Sequence, residues 1–510
     1  MQYGFAIDHR TCIGCHACTV ACKTEHGVPL GQFRTWVKYV DSGTFPESTR
    51  DFGVLRCNHC TDAPCVTICP TEALFKREDG IVDFDNSVCI GCKACMQACP
   101  YDALYIDEDT HTAAKCNFCA HRVDDGLEPA CVVVCPTESI WVGDLDDADS
   151  AISRFVASNE TQVRAPEQGT GPNVHYVGAS PAVLDPLAAP VDSSYIWAQP
   201  DSLRTAVARD LPVDPATNAR TTLNTAHPVV WGWKVTSYLW TKGVAAGAMM
   251  IAPVAALTGA VDVGNETLVD VVTPLVAMAG LLATAVLLIA DLKRPERFLY
   301  LMTRPHLSSW LVKGGFVLAA AAGVSFLWFL LALLDVDGPL PFVMAVGVVA
   351  GALTAGYTAF LFGQAEGRDL WQSPWLFWHL LAQAVMVGGG ALLLLSYLTG
   401  STDDLRTLLA AATAVGLVWH LAITLLEHGW AGNDHGTANA RAARTLMTRG
   451  RHAATYHASL VAGLVALACV ALFLLTGADA LAVLGALLVQ PSLVAYEHVF
   501  VRAAQEVPLS

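Results

Sequence analysis

At 510 residues, 54% of them hydrophobic, and with a mean hydropathy of +0.43, the chain is too apolar for an ordinary soluble enzyme and long enough for two or three domains. A formal net charge of −16 argues against nucleic acid as a partner. The apolar residues are unevenly spread: residues 1–229 read as water-soluble protein, and residues 230–502 as long apolar runs broken by short polar loops.

In chain order, residues Met1 to Arg10 lack the basic and apolar regions of a secretory signal and hold no twin arginine, so export of this part is expected to depend on another protein. Sixteen of the seventeen cysteines then follow in four groups. The first is Cys12, Cys15, Cys18 and Cys22; the second is Cys57, Cys60, Cys65 and Cys69, followed by Pro70. The third is Cys89, Cys92, Cys95 and Cys99, followed by Pro100. The fourth opens with Cys116 and Cys119 and closes with Cys131 and Cys135, followed by Pro136.

Three closely spaced thiolates can grip three corners of an iron–sulfur cubane, because a tight loop turns successive sulfurs inward. The fourth cysteine reaches the other cluster of a pair. The proline after it ends the local turn and sends the chain away. Four motifs therefore predict four [4Fe–4S] clusters. An extracellular domain would suggest disulfides instead, but the spacing is that of metal thiolates. Structural zinc is the other alternative; zinc ribbons pair two CxxC knuckles and do not need the longer run ending in Cys-Pro.

Residues 81–84, 103–107 and 139–144 each follow a cluster loop and are predicted as short strands. His16, His59 and His121 sit beside cysteines and are expected as neighbours, not ligands, since sulfur already supplies every cluster. The run Asp144, Asp146, Asp147 and Asp149 reads as a solvated domain edge.

On these motifs, residues 1 to about 180 resemble the four-cluster ferredoxin subunit of the dimethyl sulfoxide, polysulfide and thiosulfate reductase family. The resemblance implies that the first motif pairs with the fourth and the second with the third. The implied sets are Cys12, Cys15, Cys18 with Cys135; Cys116, Cys119, Cys131 with Cys22; Cys57, Cys60, Cys65 with Cys99; and Cys89, Cys92, Cys95 with Cys69. Some relatives replace a cysteine of the second motif and hold a three-iron cluster; here none is missing.

Residues 145–180 are expected to wrap the head domain as its tail. Residues 181–228, rich in Pro, Ala, Asp, Ser and Thr, read as a linker, either a tether along a partner or a disordered spacer.

Eight apolar segments follow, centred on 234–259, 268–290, 309–334, 342–364, 374–398, 405–428, 454–476 and 481–501, each long enough to span hydrocarbon. The loop after the second carries Lys293, Arg294, Arg297 and Arg304; the fourth loop has Arg368, and the sixth has Arg441, Arg444, Arg449 and Arg451. The first, third and seventh loops have no Lys or Arg, and only Arg406 borders the fifth. This bias places both termini and the head on the cytoplasmic side. The alternative is a head on the periplasmic or outer face, with the basic loops serving to dock an acidic head.

Ionisable and polar side chains in membrane spans are costly and default to functional candidates. Those that gather near the head are Tyr238, Lys242, Asp291, Arg294, Glu366, His379, Gln383, Glu427, His428, Glu497 and His498. Together they describe a polar pocket opening toward the clusters. Such a pocket suits a quinone, whose headgroup needs hydrogen-bond donors and a proton path while its tail needs lipid. Any one of them, taken alone, also reads as an interfacial anchor or a helix–helix hydrogen bond.

The run from Trp231 to Leu239 and the run Asp291 to Phe298 resemble the NrfD-type membrane anchor of polysulfide reductase. That resemblance implies a quinol site beside the ferredoxin partner and no haem. His379 and His420 are the two deep histidines that a b-type haem would need; none is expected. Cys469, in an apolar span, reads as a buried small hydrophobe.

The expected fold is an α+β bis-ferredoxin-like iron–sulfur head (1–180), a linker (181–228) and an all-α eight-helix transmembrane bundle (229–510). The expected role is the electron-transfer, quinone-reactive subunit of a membrane-bound respiratory oxidoreductase. It would link a separate catalytic subunit to the menaquinone or ubiquinone pool. The resemblance implies a molybdopterin oxidoreductase as that partner; a hydrogenase or multihaem cytochrome is also compatible. No catalytic residue for the primary substrate is expected in this chain. A proton-translocating energy-coupling module is the alternative, and a zinc-stabilised membrane scaffold the non-redox one.

Overall fold

The computed structural model describes residues 1–190, 216–225, 227–262, 264–428 and 436–510. Its head carries eleven short strands: β1 (Tyr3–Asp8), β2 (Thr35–Thr44), β3 (Glu47–Arg56), β4 (Leu74–Lys76), β5 (Val82–Phe84), β6 (Leu104–Ile106), β7 (Ala113–Lys115), β8 (Ile140–Asp144), β9 (Thr161–Gln162), β10 (Val174–Val177) and β11 (Arg220–Leu223). They form one sheet ordered β8-β1-β10-β9, one ordered β11-β2-β3, and two hairpins, β4-β5 and β6-β7. The three predicted extended pieces are β5, β6 and β8.

Between these strands run the cysteine loops, and their local geometry follows from the motif. Gly14 and Gly91 each stand third in a Cys-Ile-Gly-Cys turn, with φ of +67° and +66°. Glycine adopts this left-handed conformation at no steric cost, so the loop can fold back and aim its sulfurs inward. A side chain on Gly91 would also collide with the His111 carbonyl and with Lys293.

The long β2–β3 hairpin, registered from Thr35 opposite Arg56 to Thr44 opposite Glu47, was not anticipated from sequence. Its inner face puts Val37 and Val54 against Phe5, Phe118, Cys18 and Cys131. Its other face joins Trp36 and Leu55 to Phe33. Two pieces of the stretch read as a linker join this hairpin: the short helix Pro181–Leu184 packs on it, and β11 pairs with β2. Within that stretch, residues 191–215 and 226 lie outside the described residues.

Among the described residues, eight helices are long and apolar enough to cross a membrane: Trp233–Leu257, Leu268–Asp291, Trp310–Leu333, Leu340–Gly363, Leu376–Thr399, Asp403–His428, Ala453–Thr476 and Asp479–Glu506. The first is the most buried and packs against the second, fourth and fifth. Its approach to the fifth is backbone-close, since a Cβ on Gly247 or Gly388 would overlap the other helix. Small residues at a crossing permit the van der Waals contact that holds helices together where lipid offers no hydrophobic drive.

The eighth helix runs five residues past the predicted limit of 501, because its end enters the head. Gln505 Oε1 accepts from Gln97 Nε2 at 2.8 Å and from the backbone N–H of Trp231 at 2.9 Å. Beyond it, the Leu509 carbonyl accepts from the fully buried Arg164 at 2.6 Å. The membrane loops grip the head in turn. Arg297 donates to the carbonyls of Asn86 and Cys89, both at 2.8 Å, and Arg294 to that of Thr110 at 2.7 Å. Arg368 donates to Gln97 at 2.9 Å and pairs with Asp102 at 3.3 Å. Most of these contacts fall in or beside the third cysteine motif; the second is held by His306, 2.8 Å from the Cys69 carbonyl, and by Ser309, which donates to the Ile68 carbonyl at 2.7 Å, so the membrane half seats both loops.

Candidate functional site

None of the sixteen head cysteines is joined in a disulfide. Burial, reinforced by neighbouring thiolates, pushes several of them strongly upward, and those neighbours sort the sixteen into sets. Cys18 is pushed up to about 12 with Cys12 and Cys15 beside it, and Cys12 faces Cys135. Cys119 is pushed up to about 12 beside Cys116 and Cys131, which also face Cys22. Cys60 and Cys99 both rise to about 12, with Cys57 as a shared neighbour, and Cys65 faces all three. Cys92 rises to about 12 beside Cys69 and Cys89, which also face Cys95. The resemblance groups the same thiols, while neighbours also run between groups: Cys131 is the foremost thiol beside Cys18, and Cys57 beside Cys116.

Four crowded, buried thiols resist ionising unless positive charge is supplied among them. Among the described residues, no three His, Cys, Asp or Glu side chains converge on a point able to hold one metal ion. Cys69, Cys89, Cys92 and Cys95 instead line one small common cavity. A multi-iron cluster, with a separate iron at each corner, fits that arrangement better than a single tetrahedral ion does.

Further donors point at the sulfurs. Backbone N–H groups reach Cys89 from Gly91 at 3.4 Å and Ala113 at 3.5 Å, and Cys135 from Ser139 at 3.3 Å. His26 Nε2 lies 3.1 Å from Cys119 Sγ, a contact no sequence pattern signalled. Of the three flagged histidines, His16 meets Tyr39, His121 meets Glu25, and His59 accepts from the Val82 N–H.

The sets form a row. Cys131 of the second set is a charged neighbour of Cys18 in the first, Cys57 of the third set of Cys116, and Cys65 of the third set of Cys95 in the fourth. At one end Cys15 is exposed. At the other, Cys92 forms part of the wall of a cavity of about 110 Å³ in the membrane half. That cavity lies among the first four spans; its walls are mostly aliphatic, with Trp231, Tyr238, Asp291 and Tyr357 supplying polar atoms. The Asp291 carboxylate is 2.6 Å from the ammonium of Lys93, the residue after Cys92, and Trp231 Nε1 donates to the Cys92 carbonyl at 3.2 Å. A mostly apolar chamber with a few convergent polar groups has the make-up of a small-molecule site.

Of the predicted polar candidates, the structure brings Tyr238 and Asp291 to this cavity. Lys242 lies just beneath, its ammonium 5.1 Å from the Tyr357 ring centroid and donating to Thr358 at 2.6 Å. Arg294 holds the head instead. Glu366 faces a separate cleft near Asp62, where burial pushes its carboxyl upward. His498 sits apart, beside His452, Arg502 and Glu506. Gln364 caps the third span, accepting from the Trp310 N–H at 2.8 Å.

The remaining candidates form a second, buried network. His379 Nε2 and His420 Nδ1 share a hydrogen bond of 2.7 Å, and His379 Nδ1 lies 3.5 Å from Glu427. Glu427 also accepts from Ser373, His428 meets the Tyr496 hydroxyl at 3.1 Å, and Gln383 and Lys242 neighbour Glu497. Sequence reasoning missed Tyr357 and Lys93, the first a single hydroxyl in an apolar span and the second hidden inside a cysteine motif.

Comparison with known proteins agrees with this two-part geometry. A 4Fe-4S dicluster domain model matches residues 49–145, and the polysulphide reductase NrfD model matches residues 221–501, more than half of the full length. This chain therefore belongs to the polysulphide reductase NrfD family. It joins that membrane anchor to an iron–sulfur head of reductase type. The head of this NrfD-family protein is 45% identical over 190 residues to a tetrathionate reductase subunit of Salmonella typhimurium, covering 36% of this chain and 76% of that protein. It is 43% identical over 207 residues to a putative dimethyl sulfoxide reductase iron-sulfur subunit of Halobacterium salinarum, covering 34% and 79%. It is 41% identical over 179 residues to a polysulfide reductase chain of Wolinella succinogenes, covering 34% and 94%. The NrfD-family chain is thus an iron–sulfur, multi-pass membrane protein of electron transfer.

Proposed function

We propose that this chain exchanges electrons between a separate catalytic subunit and membrane quinone, through four [4Fe–4S] clusters held by the sixteen head cysteines. The observation that carries the reading is the contact of the Asp291–Tyr238 cavity with Cys92, the last thiol of the row. Bound clusters supply one-electron carriers. The protein supplies the rest: leucines admit an isoprenoid-like tail, Tyr238 offers a hydroxyl to a carbonyl of the headgroup, and Asp291 takes one of the two protons that leave a quinol with its two electrons. Lys93 holds the Asp291 carboxylate at the headgroup end of the cavity. The partner docks at the opposite end, where Ile13, Val20 and Val133 are exposed around Cys15. An exposed apolar patch over a redox centre suits a protein interface. The family resemblance makes a molybdopterin oxidoreductase the favoured partner. Purified protein is expected to carry about sixteen irons and as many acid-labile sulfides per chain, from four cubanes; a zinc protein with neither would overturn the assignment.

For the side of the membrane, charge bias favours a cytoplasmic head. Arg294, Arg297 and Arg368 also grip the head, so the bias rests chiefly on Lys293, Arg304 and the sixth-loop arginines. Protease added outside intact cells is expected to leave the head uncut; cleavage there would assign it to the outer face.

A second reading rests on the His379–His420–Glu427 network, which extends through Tyr496 and Glu497 toward Lys242. Contiguous buried acids and imidazoles can carry protons. In proteoliposomes with a pH-sensitive dye inside, quinol-driven turnover would then move protons across the bilayer; turnover with no internal pH change would sink this reading.

A further inference from the structure

The row of thiols passes beside a buried cation that neither the cavity nor the membrane contacts account for. Arg56 ends β3, where its backbone is registered opposite Thr35. Its side chain is 0% exposed. The guanidinium carbon lies 4.4 Å from the Phe5 ring centroid, and Nη1 donates to Cys131 Sγ at 3.2 Å. Nε and Nη2 are buried and meet no acceptor among the described residues. Its nearest charged neighbours are Cys131, Cys116 and Cys18, and no carboxylate pairs with it among the described residues.

A guanidinium is costly to bury without a counter-charge, and its fork of donors is suited to anionic partners. Cys18 belongs to the first set of thiols; Cys116 and Cys131 belong to the second. Arg56 therefore stands at the junction between two cluster positions, with two donor nitrogens free for them. We propose that Arg56 is a positioning residue of the electron path: it compensates the negative charge of the first two clusters and raises the reduction potential of both. This rests on the reading of the cysteines as cluster ligands. When an electron crosses the junction, one cluster is oxidised and its neighbour reduced, with no proton moved, because arginine stays charged throughout. A fixed positive charge and an N–H···S bond both favour the reduced state of the cluster beside them.

The test is a redox titration of the full-length membrane protein, followed by EPR, with iron measured on the same samples. Arg56→Met is expected to keep the iron content and to shift two of the four clusters to more negative potential, leaving the other two where they were. Arg56→Gln keeps an N–H near Cys131 and removes the charge, and it is expected to shift the same two in the same direction. Full iron with unchanged potentials overturns the proposal; little iron in the wild type overturns the ligand reading instead. Independently of any variant, wild-type protein labelled with ¹⁵N-arginine is expected to show nitrogen hyperfine coupling to a reduced cluster in pulsed EPR. Absence of that coupling would also overturn it.

Discussion

Replacing Asp291 by asparagine is expected to slow quinol-linked electron transfer by about 10²–10⁴-fold, the usual worth of one proton acceptor, while leaving the iron content intact. Asparagine keeps the size of the side chain and an oxygen for Lys93 but cannot take a proton. Asp291 ends the second span and forms part of the cavity wall with its carboxylate 2.6 Å from Lys93. The substitution also leaves the ammonium of Lys93 without its ion-pair partner in a site where both are largely buried, and some loss of stability follows. Stopped-flow reduction of the clusters by quinol, compared with their reduction by dithionite, separates the two effects. A variant slow with quinol and normal with dithionite supports the proton role. A variant slow with both has a damaged head seat.

Substituting Cys92 by serine is expected to break the path at its membrane end, lowering quinol-driven reduction of the head by about 100-fold, no less than the upper end of what losing a mere outer-shell partner of a metal ligand costs. Cys92 is the thiol shared by the row and the cavity wall. The corresponding change at the far end, Cys15→Ser, carries the opposite signature. Quinol still reduces the clusters upstream of it, and delivery to the catalytic partner fails. Cluster-by-cluster EPR of the two variants distinguishes a directional wire from a set of independent centres. Equal quinol reduction in the Cys92 variant and the wild type would contradict the order proposed here.

The cysteine motifs were legible in sequence because their chemistry is mostly local: apart from the gap between Cys119 and Cys131, neighbouring cysteines of a motif stand three to five residues apart, with glycine at the turn of the first and third. The eight spans were legible because hydropathy alone identifies them. The β2–β3 hairpin was not, since its tip from Glu47 to Arg50 is exposed and charged and only its base alternates between buried faces. Nor was β11, which lies in a stretch of loop-like composition and owes its strand to pairing with β2.

Polar residues in the spans were found as a group but not sorted. Whether Tyr238 meets the cavity while His379 meets His420 depends on how each helix is rotated about its axis, which is fixed by packing such as the Gly247–Gly388 crossing. The arginines illustrate the same point. Arg294 and Arg297 count toward a topology rule in sequence, yet in the structure their side chains bind head carbonyls.

The central claim is that the Asp291–Tyr238 cavity feeds the cysteine-bound clusters. Its most direct test is anaerobic addition of a low-potential naphthoquinol to the purified protein, with freeze-quenched EPR at successive times. The account predicts that cluster signals appear without any other reductant, the first from the cluster bound at Cys92, and that a cavity-filling substitution, Gly315→Trp, abolishes them while dithionite still produces all of them. Clusters that dithionite reduces and quinol never does, in the unaltered protein, would contradict it.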